Sequence, residues 1–430
     1  VSESITPWEN DLVSHDATTK EYVVINSTKG HLKEAIAAAN KDYTKIKNLK
    51  ITGEISAQDF YFMRDSMENL AALNLKEVII RGGEQRLTGG AQGVYPHNDY
   101  EIPYEALRGK KSLNLLVLPD KLTKIGIAAF ADDQNITGSL IIPEGVTEIE
   151  VGAFYDCRSM NGTLSLPSTL KYLGRGIDLW WYGGVFTYCG FTSELILPNN
   201  LECIAGNNTF AGCEGLHGEL RFPEKLTEIS DGAFNGCKSL TGSITIPQGV
   251  HKLPTSVFQF CDNLNGTLTL PDGITSIGYN CFQGCALKGE LKLPKNLTVI
   301  ADEVFNGCDF SGELVLPKTI RSIGKRAFAN NWRLMGIVEF PEGLQSIGAG
   351  AFANCRMIEG LVFPESLESI RAENSYNEDG GAFQGCYGIN SIVCKRDIPA
   401  YVQDKVFDGV AKYNFTLEVP ESAMSQYQAA

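Results

Sequence analysis

The stretch GTLTLPDGITSIGYNCFQGC, residues 266–285, contains the pattern that decides the fold of this chain. Close variants of it recur, and the proline within each variant follows the previous one after 23 to 25 residues, or after 31 in one case. A fixed period of this length means that one supersecondary unit is stacked many times, so the sequence predicts a solenoid. The eleven prolines are Pro119, Pro143, Pro167, Pro198, Pro223, Pro247, Pro271, Pro294, Pro317, Pro341 and Pro364.

Each repeat begins with a short segment in which apolar and variable residues alternate. In the quoted stretch the apolar members are Leu268 and Leu270, and Pro271 follows directly. Alternation of period two predicts a strand with one buried face. The proline ends this strand because it cannot donate to a ladder hydrogen bond. Two further aliphatic positions, Ile274 and Ile277 here, predict a second short strand or a turn.

A phenylalanine follows each of these prolines, from Phe130 to Phe383, and in eight of the eleven repeats it lies eleven residues later. Nine repeats place a cysteine three residues beyond the phenylalanine. A single repeat has too few apolar residues to fold alone, so we expect stacking to bury the aliphatic, Phe and Cys positions against their counterparts in neighbouring repeats. Each buried Leu or Phe contributes roughly 1.5–3 kcal/mol.

The consensus L-x-G-x-L-x-L-P-x-x-L-x-x-I-G-x-x-A-F-x-x-C resembles the repeat of the BspA-like leucine-rich repeat family over residues 101–396. Residues 51–80 resemble the entry region of such proteins, and the tail FTLEVPESAMSQYQAA resembles their closing repeat. The resemblance implies a β-rich, α/β-type right-handed leucine-rich repeat solenoid with short parallel strands. It would have about 11–12 repeats of 23–25 residues and a cap at each end. The resemblance also implies an extracellular bacterial binding protein with no shared catalytic site.

A solenoid needs covers at its open ends, and the sequence divides accordingly into three parts. We expect an N-terminal capping region over residues 1–100, the repeat solenoid over 101–396 and a C-terminal capping repeat over 397–430. Two segments of the first part, 31–41 and 56–73, place apolar residues at helical spacing and predict helices. Ser56 can cap the second of them, and Phe407 occupies a last Phe position in the C-terminal part.

Composition limits the possible partners. The net charge of −14 and the absence of basic runs argue against nucleic acid and anionic membrane surfaces as ligands. The apolar stretches are too short for membrane insertion. The chain begins at Val1 without a signal segment, so we expect an upstream segment to have been removed from a secreted or surface-anchored protein. We expect a monomer.

Twelve cysteines in a secreted protein would usually indicate disulfides, but here their positions argue otherwise. Nine share one repeat position, Cys281 replaces the small residue before a phenylalanine, and Cys394 falls in a pre-proline core position. We expect these eleven to be interior, reduced thiols that pack as small apolar groups. Cys203 occupies a position that holds Lys124 or Glu148 in other repeats, so we expect it to be the exposed thiol.

Two repeats carry an insert of eight residues at the same place, between Pro167 and Phe186 and between Pro364 and Phe383. Inserts at one repeat position form loops on one face, which is often the binding face. The first insert contains Trp180, Trp181 and Tyr182, and the second contains Tyr376. These aromatic residues could form an exposed platform for a protein or a glycan, or they could fold back over the edge of the core.

The variable positions of the first strand predict a second candidate surface of hydroxyl and charged side chains. Ser139, Thr163, Ser243 and Thr267 supply hydroxyl groups four residues before their prolines. This surface could contact a partner, or it could be a solvated sheet face on which opposite charges compensate each other. Its charged members are Glu194, Glu219, Arg221, Glu290, Lys292 and Glu313.

Nothing in the sequence indicates an enzyme or a cofactor. The five histidines are scattered, without metal-ligand spacing, and the cysteines are interchangeable members of a repeat. The leading hypothesis is therefore a non-enzymatic extracellular scaffold for protein recognition or adhesion, with a host or matrix protein as partner. The alternatives are a glycan-binding module that uses Trp180, Trp181 and Tyr182, and a passive spacer for another domain.

Overall fold

A computed structural model describes most of the chain as two compact units, Val1–His217 and Gly218–Ala430. The parallel β-solenoid predicted from the repeats is confirmed in both units. The predicted boundaries between the caps and the repeats, at residues 100/101 and 396/397, stay predictions. The described residues are 22–86, 94–176, 183–372, 380–410 and 415–429.

The strands of the first unit are β1 (Val23–Ser27), β2 (Asn48–Ile55), β3 (Ala72–Asn74), β4 (Val78–Ile80), β5 (Gly83–Arg86), β6 (Val94–His97), β7 (Glu101–Ile102), β8 (Leu115–Val117), β9 (Lys124–Ile125), β10 (Leu140–Ile141), β11 (Glu148–Glu150), β12 (Leu164–Ser165), β13 (Tyr172–Arg175) and β14 (Cys203–Ile204). Parallel strands β1, β2, β3 and β8 form one sheet, in which β4 also pairs with β2. Strands β7, β9, β11, β13 and β14 form a second parallel sheet, β10 pairs with β12, and β5 and β6 form an antiparallel hairpin.

Two helices lie in the part of the first unit for which the sequence predicted them. Helix α1 covers Leu32–Ala38 and helix α2 covers Ala57–Ser66, both shorter than the predicted segments. The buried Asp59 carboxylate accepts hydrogen bonds from the backbone N–H groups of Ser56, Gly30 and Leu32 at 2.8–2.9 Å. One carboxylate therefore binds the N-terminal ends of both helices together.

The strands of the second unit are β15 (Gly218–Glu219), β16 (Glu228–Ile229), β17 (Leu240–Thr241), β18 (Ile244–Thr245), β19 (Lys252–Leu253), β20 (Leu268–Thr269), β21 (Ser276–Ile277), β22 (Lys288–Gly289), β23 (Val299–Ile300), β24 (Asp309–Glu313), β25 (Ser322–Ile323), β26 (Arg333–Glu339), β27 (Ser346–Ile347), β28 (Met357–Phe363), β29 (Ser369–Ile370), β30 (Ser391–Cys394), β31 (Tyr401–Val402) and β32 (Thr416–Glu418), followed by helix α3 (Met424–Ala429). Strands β22, β24, β26, β28, β30 and β32 form one parallel sheet, and β23, β25, β27, β29 and β31 form another. Within the described residues of this unit, the two longest strands, β26 and β28, lie next to each other, and β24 and β30 flank them.

The Phe positions form a continuous aromatic stack inside each unit. Phe130, Phe154, Phe186 and Phe210 stack in the first unit, with ring centroids 5.2–5.7 Å apart. The stack of the second unit has the same spacing range, and its rings are fully or largely buried. Its members are Phe234, Phe258, Phe282, Phe305, Phe328, Phe352, Phe383 and Phe407.

The cysteine that follows each phenylalanine is bonded to the preceding repeat. The Cys285 thiol donates to the Phe258 carbonyl oxygen at 3.1 Å, and the same bond, 2.9–3.3 Å long, joins seven other cysteines to the phenylalanine one repeat earlier. The Phe258 N–H group donates to the Cys281 carbonyl oxygen at 2.9 Å. Both backbone groups of the phenylalanine are therefore satisfied by the next repeat.

The prediction that the cysteines are reduced and mostly interior is confirmed, but the predicted burial differs from the structure at two of them. All twelve cysteines lie within the described residues, none forms a disulfide, and eleven are buried. Cys394 is only half-buried, and Cys203, predicted to be exposed, is 1% exposed. The prediction for Cys203 is wrong because neighbouring side chains cover it. Cys203 pairs in register with Tyr172, and the Arg175 guanidinium stacks on the Tyr172 ring and interacts with the thiol.

A residue with a positive φ, in the left-handed region of backbone conformation, lies two positions after each phenylalanine of the two stacks. In many repeats it is glycine, such as Gly284 with φ 72°, or asparagine, such as Asn330 with φ 63°. These residue types adopt the left-handed region at little cost. The turn between the Phe and Cys positions therefore has the same backbone shape in every repeat, which aligns the first strands of successive repeats into sheets.

Candidate binding surface

The charged side chains predicted to form a surface are exposed, but most of those in the second unit pair with each other. The Arg221 guanidinium contacts the Glu219 carboxylate at 2.6 Å, and the Lys292 ammonium lies 3.5 Å from the Glu290 carboxylate. The two members of each pair are two residues apart in one repeat and lie in solvent, where such ion pairs contribute little to stability. Glu194 is exposed in the first unit, and its backbone bridges to His217.

Two hydroxyl groups of the predicted surface, those of Ser139 and Ser243, have structural partners. Ser139 is buried, and its Oγ accepts a hydrogen bond from the Thr163 N–H at 2.9 Å. Ser243 Oγ accepts the equivalent bond from the Thr267 N–H at 3.0 Å. These serines connect successive repeats by binding a backbone donor. The predicted hydroxyl surface is therefore wrong for Ser139, which is turned into the protein by this bond.

Strands β26 and β28 carry exposed apolar side chains that sequence reasoning did not single out. Met335, Ile337 and Met357 are 39%, 53% and 48% exposed, and Val315, just beyond β24, is 69% exposed. The residues that alternate with them on β26, Leu334 and Val338, are buried. The long strands thus bury one apolar face and present a second one to solvent.

Register brings these side chains together. Glu313 on β24, Met335 on β26 and Met357 on β28 are direct neighbours across the sheet. Ile337 lies opposite Gly360, and a Cβ atom on Gly360 would lie 3.3 Å from Ile337 Cγ1. Gly360 is itself buried, so the Ile337 side chain lies closely over it and exposes its outer side to solvent.

A row of aromatic and guanidinium groups lies where these strands begin. The Arg356 guanidinium carbon is 5.5 Å from the centre of the Trp332 ring and 6.0 Å from that of the Tyr387 ring. Trp332 directly precedes β26 and is 55% exposed, Arg356 directly precedes β28, and Tyr387 is 60% exposed. At exposed sites a cation–π contact contributes about 0.5–1 kcal/mol, which favours this arrangement of the rings.

We name this set of exposed residues the β26–β28 patch. Trp, Tyr, Arg and Met are the residue types enriched in protein interfaces, and Trp, Tyr and Arg are the commonest sources of large binding energies. The patch consists of Val315, Trp332, Met335, Ile337, Arg356, Met357 and Tyr387.

Carboxylates border the β26–β28 patch, while several nearby cations are already paired. Glu313 flanks Met335, Glu339 follows Ile337 on the same face of β26, and Glu359 follows Met357 on β28, all three exposed. No salt bridge to these three is formed within the part of the chain that the structure describes. By contrast, Arg333 pairs with Asp309 at 3.3 Å and Lys395 with Glu342 at 2.9 Å. The patch is therefore mainly apolar, with Arg356 as its cation between two aromatic rings and with three carboxylates at its border.

The sequence contained a signal for part of this patch. Ile337 and Val315 are apolar residues at repeat positions that hold Glu or Lys elsewhere. Met335 and Met357 lie six and seven residues before their prolines, beyond the positions that the proline alignment compared. Trp332 follows a Cys position that Asn331 occupies in this repeat. Apolar substitution at outward positions of two adjacent repeats was the available signal.

The aromatic insert residues Trp180, Trp181, Tyr182 and Tyr376 lie outside the described residues. Among those that are described, no group of three or more His, Cys, Asp or Glu side chains is placed to hold a metal ion. The helices found in the same ranges are all too short or too polar to cross a membrane.

An open cavity of about 1060 Å³ lies near the C-terminal end of the second unit. Its walls are mainly apolar, and the half-buried Cys394 and the Tyr427 side chain border it. Burial raises the pKa of Tyr427 to about 12, and its hydroxyl donates to the Arg396 carbonyl oxygen at 3.0 Å. Cys394 is thus the thiol with access to an open space.

Comparison with known families finds one match over most of the chain. The model of the BspA type leucine-rich repeat region, in six copies, matches residues 100–177, 182–311, 266–379 and 308–427. No curated protein matches the chain.

Several solved structures are similar. A leucine-rich repeat protein from Bacteroides ovatus is 19% identical, with a TM-score of 0.45, over 79% of this chain and 98% of that one. A leucine-rich cell surface protein from Faecalibacterium prausnitzii is 19% identical, with a TM-score of 0.38, over 96% and 87%. The leucine-rich repeat protein of T. pallidum is 27% identical, with a TM-score of 0.29, over 43% and 69%.

Proposed function

Because this chain belongs to the BspA-type leucine-rich repeat family, we propose that it is a non-enzymatic scaffold that recognises another protein outside the bacterial cell. The β26–β28 patch is the proposed contact surface. The role in adhesion, the secreted or surface-anchored location and the host or matrix origin of the partner belong to the same proposal, and they rest on the family.

The observation that supports protein recognition is the exposure of apolar and aromatic side chains on a rigid sheet. Soluble proteins rarely expose contiguous apolar residues without an interaction that covers them. Met335 and Met357 are flexible and polarisable, so they can adapt to the shape of a partner, whereas Trp332 supplies a large anchor. Strands β26 and β28 are paired on both sides, so the sheet that presents these groups is ordered before binding.

The cysteines support the non-enzymatic part of the proposal. Nucleophilic catalysis needs a thiolate, and burial raises the pKa of Cys213 and of Cys261 to about 12. Each of these thiols also donates its proton to a phenylalanine carbonyl oxygen. Such thiols act as hydrogen-bonded core groups.

The proposal is tested by comparing three forms of the full chain on a host matrix extract and on a glycan array. The patch variant carries Trp332→Ala, Met335→Ala and Met357→Ala. The control variant carries Ile196→Ala and Tyr279→Ala, which remove exposed apolar side chains elsewhere. We expect wild type and control to retain the same matrix proteins and the patch variant to lose them. For a purified partner the loss of affinity should be on the order of 30-fold or more, as removal of an interface anchor gives.

Two results would overturn the proposal. Matrix proteins retained equally by the patch variant would show that the β26–β28 patch is not the contact surface. Binding to the glycan array alone would favour the glycan-binding alternative.

A further inference from the structure

We infer that the β26–β28 patch recognises a basic amphipathic helix of the partner protein, with apolar side chains on one face and Lys or Arg side chains beside them. This inference rests on the proposed function and adds the chemistry of the partner. Three properties of the patch carry it. They are the paired backbone of its strands, the apolar row formed by Met335, Ile337 and Met357, and the carboxylate border formed by Glu313, Glu339 and Glu359.

The backbone of the sheet excludes recognition by strand addition at this place. β26 pairs with β24 and β28, and β28 pairs with β26 and β30, so both strands lie inside the sheet. Strand addition requires an open edge whose N–H and C=O groups are unpaired. The patch therefore offers only side chains, and a partner must present side chains in return. An amphipathic helix does so with residues at positions i, i+3, i+4 and i+7.

The dimensions of the apolar row suit a helix. Met335 and Met357 lie on adjacent strands about 4.8 Å apart. Ile337 lies two residues beyond Met335 on β26, past Gly336 with its φ of 77°, and this spacing spans at most about 7 Å. Side chains four residues apart on a helix are separated by about 6 Å along its axis. One turn of a helix can therefore place an apolar side chain against each end of this interval, where Met335 and Ile337 are exposed.

The carboxylates at the border of the patch favour a partner with positively charged side chains. Glu313, Glu339 and Glu359 are exposed on the face that carries the apolar row, and three cations at or beside strands β26, β28 and β30 have other contacts. Arg333 contacts Asp309, and Arg356 lies between two aromatic rings. Lys395 contacts Glu342, although it also lies in the field of Glu339.

The energetic roles then divide between the two parts of the patch. Exposed ion pairs add little affinity, whereas charge complementarity controls orientation and the rejection of wrong partners. The apolar row supplies the affinity, and the carboxylates decide between a basic and an acidic helix. Lys and Arg side chains of a helix can extend their apolar stems across Met335 and Met357 while their charged ends reach the border.

The experiment measures binding of two synthetic 18-residue helical peptides to the full chain, by fluorescence anisotropy at physiological salt. Both peptides carry Leu at the same positions, and their polar face is all Lys in one and all Glu in the other. The border variant carries Glu313→Lys, Glu339→Lys and Glu359→Lys. The matched control carries Glu68→Lys, Glu194→Lys and Glu224→Lys, which are exposed carboxylates elsewhere and give the same change in net charge. A third variant carries Met335→Ala and Met357→Ala.

We expect wild type and control to prefer the Lys peptide over the Glu peptide by tenfold or more, and the border variant to reverse this preference. The methionine variant should bind both peptides at least tenfold more weakly. Equal loss of Lys-peptide binding in the border variant and the control would show that binding follows net charge, and it would overturn the inference.

A different result separates this inference from the proposed function. If wild type binds both peptides equally and the methionine variant loses both, the patch is a binding surface without preference for a basic partner. The inference then fails and the proposed function stands. If the methionine variant binds the Lys peptide as wild type does, the apolar row has no part in binding and the inference fails as well. In that case retention of matrix proteins by the patch variant decides whether the proposed function fails with it.

Discussion

Asn331 donates a hydrogen bond from Nδ2 to the Phe305 carbonyl oxygen at 2.8 Å. It occupies the position three residues after Phe328 at which eight other repeats direct a cysteine thiol to the equivalent carbonyl. The property that the Asn331 amide and the cysteine thiols share at this position is that each can donate a hydrogen bond to the phenylalanine carbonyl oxygen. In these nine repeats the position therefore holds a side chain with a donor, and this bond does not need the redox chemistry of cysteine.

The first prediction exchanges the side chain in this position. Asn331→Cys should leave the thermal unfolding midpoint nearly unchanged, because a thiol can donate to the Phe305 carbonyl oxygen. Asn331→Leu leaves that buried oxygen without this donor and should cost about 1–3 kcal/mol. Chemical denaturation of both variants checks the difference, and equal stability of the two would contradict the role assigned to the bond.

The second prediction concerns Asp133, which stands in the same position after Phe130. Asp133 is fully buried, one of its oxygens accepts from the Lys110 N–H, and the other has no partner among the described residues. Burial raises the pKa of this carboxyl well above its usual value near 4. In the unfolded chain the group ionises near pH 4, whereas in the folded chain it keeps its proton to higher pH. Stability is therefore lost as pH rises through this interval.

Asp133→Asn, which copies Asn331, should raise the melting temperature at pH 7 and have a smaller effect at pH 3.5. The exposed Asp120→Asn serves as the control for removal of one charge. A variant that is less stable than wild type at pH 7, or a gain that Asp120→Asn reproduces, would show that the buried carboxylate carries no such penalty.

The third prediction concerns thiol reactivity. Native protein should expose at most one or two thiols to a disulfide reagent, because burial raises the thiol pKa and excludes the reagent. Cys394 should react first, since it is half-buried beside an open cavity. Cys394→Ser should remove the fast phase, and Cys203→Ser should not. Rapid modification of most of the twelve cysteines would contradict the buried assignment.

The fourth prediction concerns the aromatic stack. Phe234 is fully buried, and its ring lies 5.7 Å from that of Phe258. Phe234→Ala should cost about 3–5 kcal/mol. Because each repeat couples only to its neighbours, part of the loss should appear as local opening or a broadened transition. Hydrogen exchange should show reduced protection near residue 234 and little change near residue 352. An effect below about 1 kcal/mol would contradict the stack as the core.

The fifth prediction concerns the aromatic insert, which lies outside the described residues. If the insert is a binding platform, Trp180→Ala with Trp181→Ala should weaken binding of a matrix protein or glycan and leave the melting temperature nearly unchanged. Buried tryptophan anchors commonly contribute about 2 kcal/mol or more to an interface. A much lower melting temperature would assign both rings to the edge of the core.

The parts of this protein that could be predicted are those that repeat. Phe234 and Cys285 have the same neighbours as their counterparts, so the periodic pattern alone determines their burial. Cys203 could not be placed in this way, because its burial depends on Tyr172 and Arg175, which occur in one repeat only. Glu194 and Glu313 could be predicted as exposed, since they alternate with buried aliphatic residues.

The β26–β28 patch was harder to predict because it depends on register. Met335 and Met357 are neighbours owing to the pairing of two long strands, and the register shifts between Gly336 and Ile337. A fixed count from the proline cannot follow such a shift. The contact between Arg356 and Trp332 joins residues that no repeat consensus contains.

The bonds that leave each phenylalanine run in one direction along the chain. Phe258 donates to Cys281 and accepts from Cys285, so each repeat presents the same acceptor and the same donor to whichever repeat follows it. If one complete repeat inside the second unit were duplicated or deleted, the donor and acceptor of each phenylalanine would still meet the same groups of the next repeat. If half a repeat were inserted or removed, these groups would no longer face each other. Tandem gene duplication could therefore lengthen or shorten this protein by whole repeats, and selection could adjust the separation of its surface features independently of their chemistry.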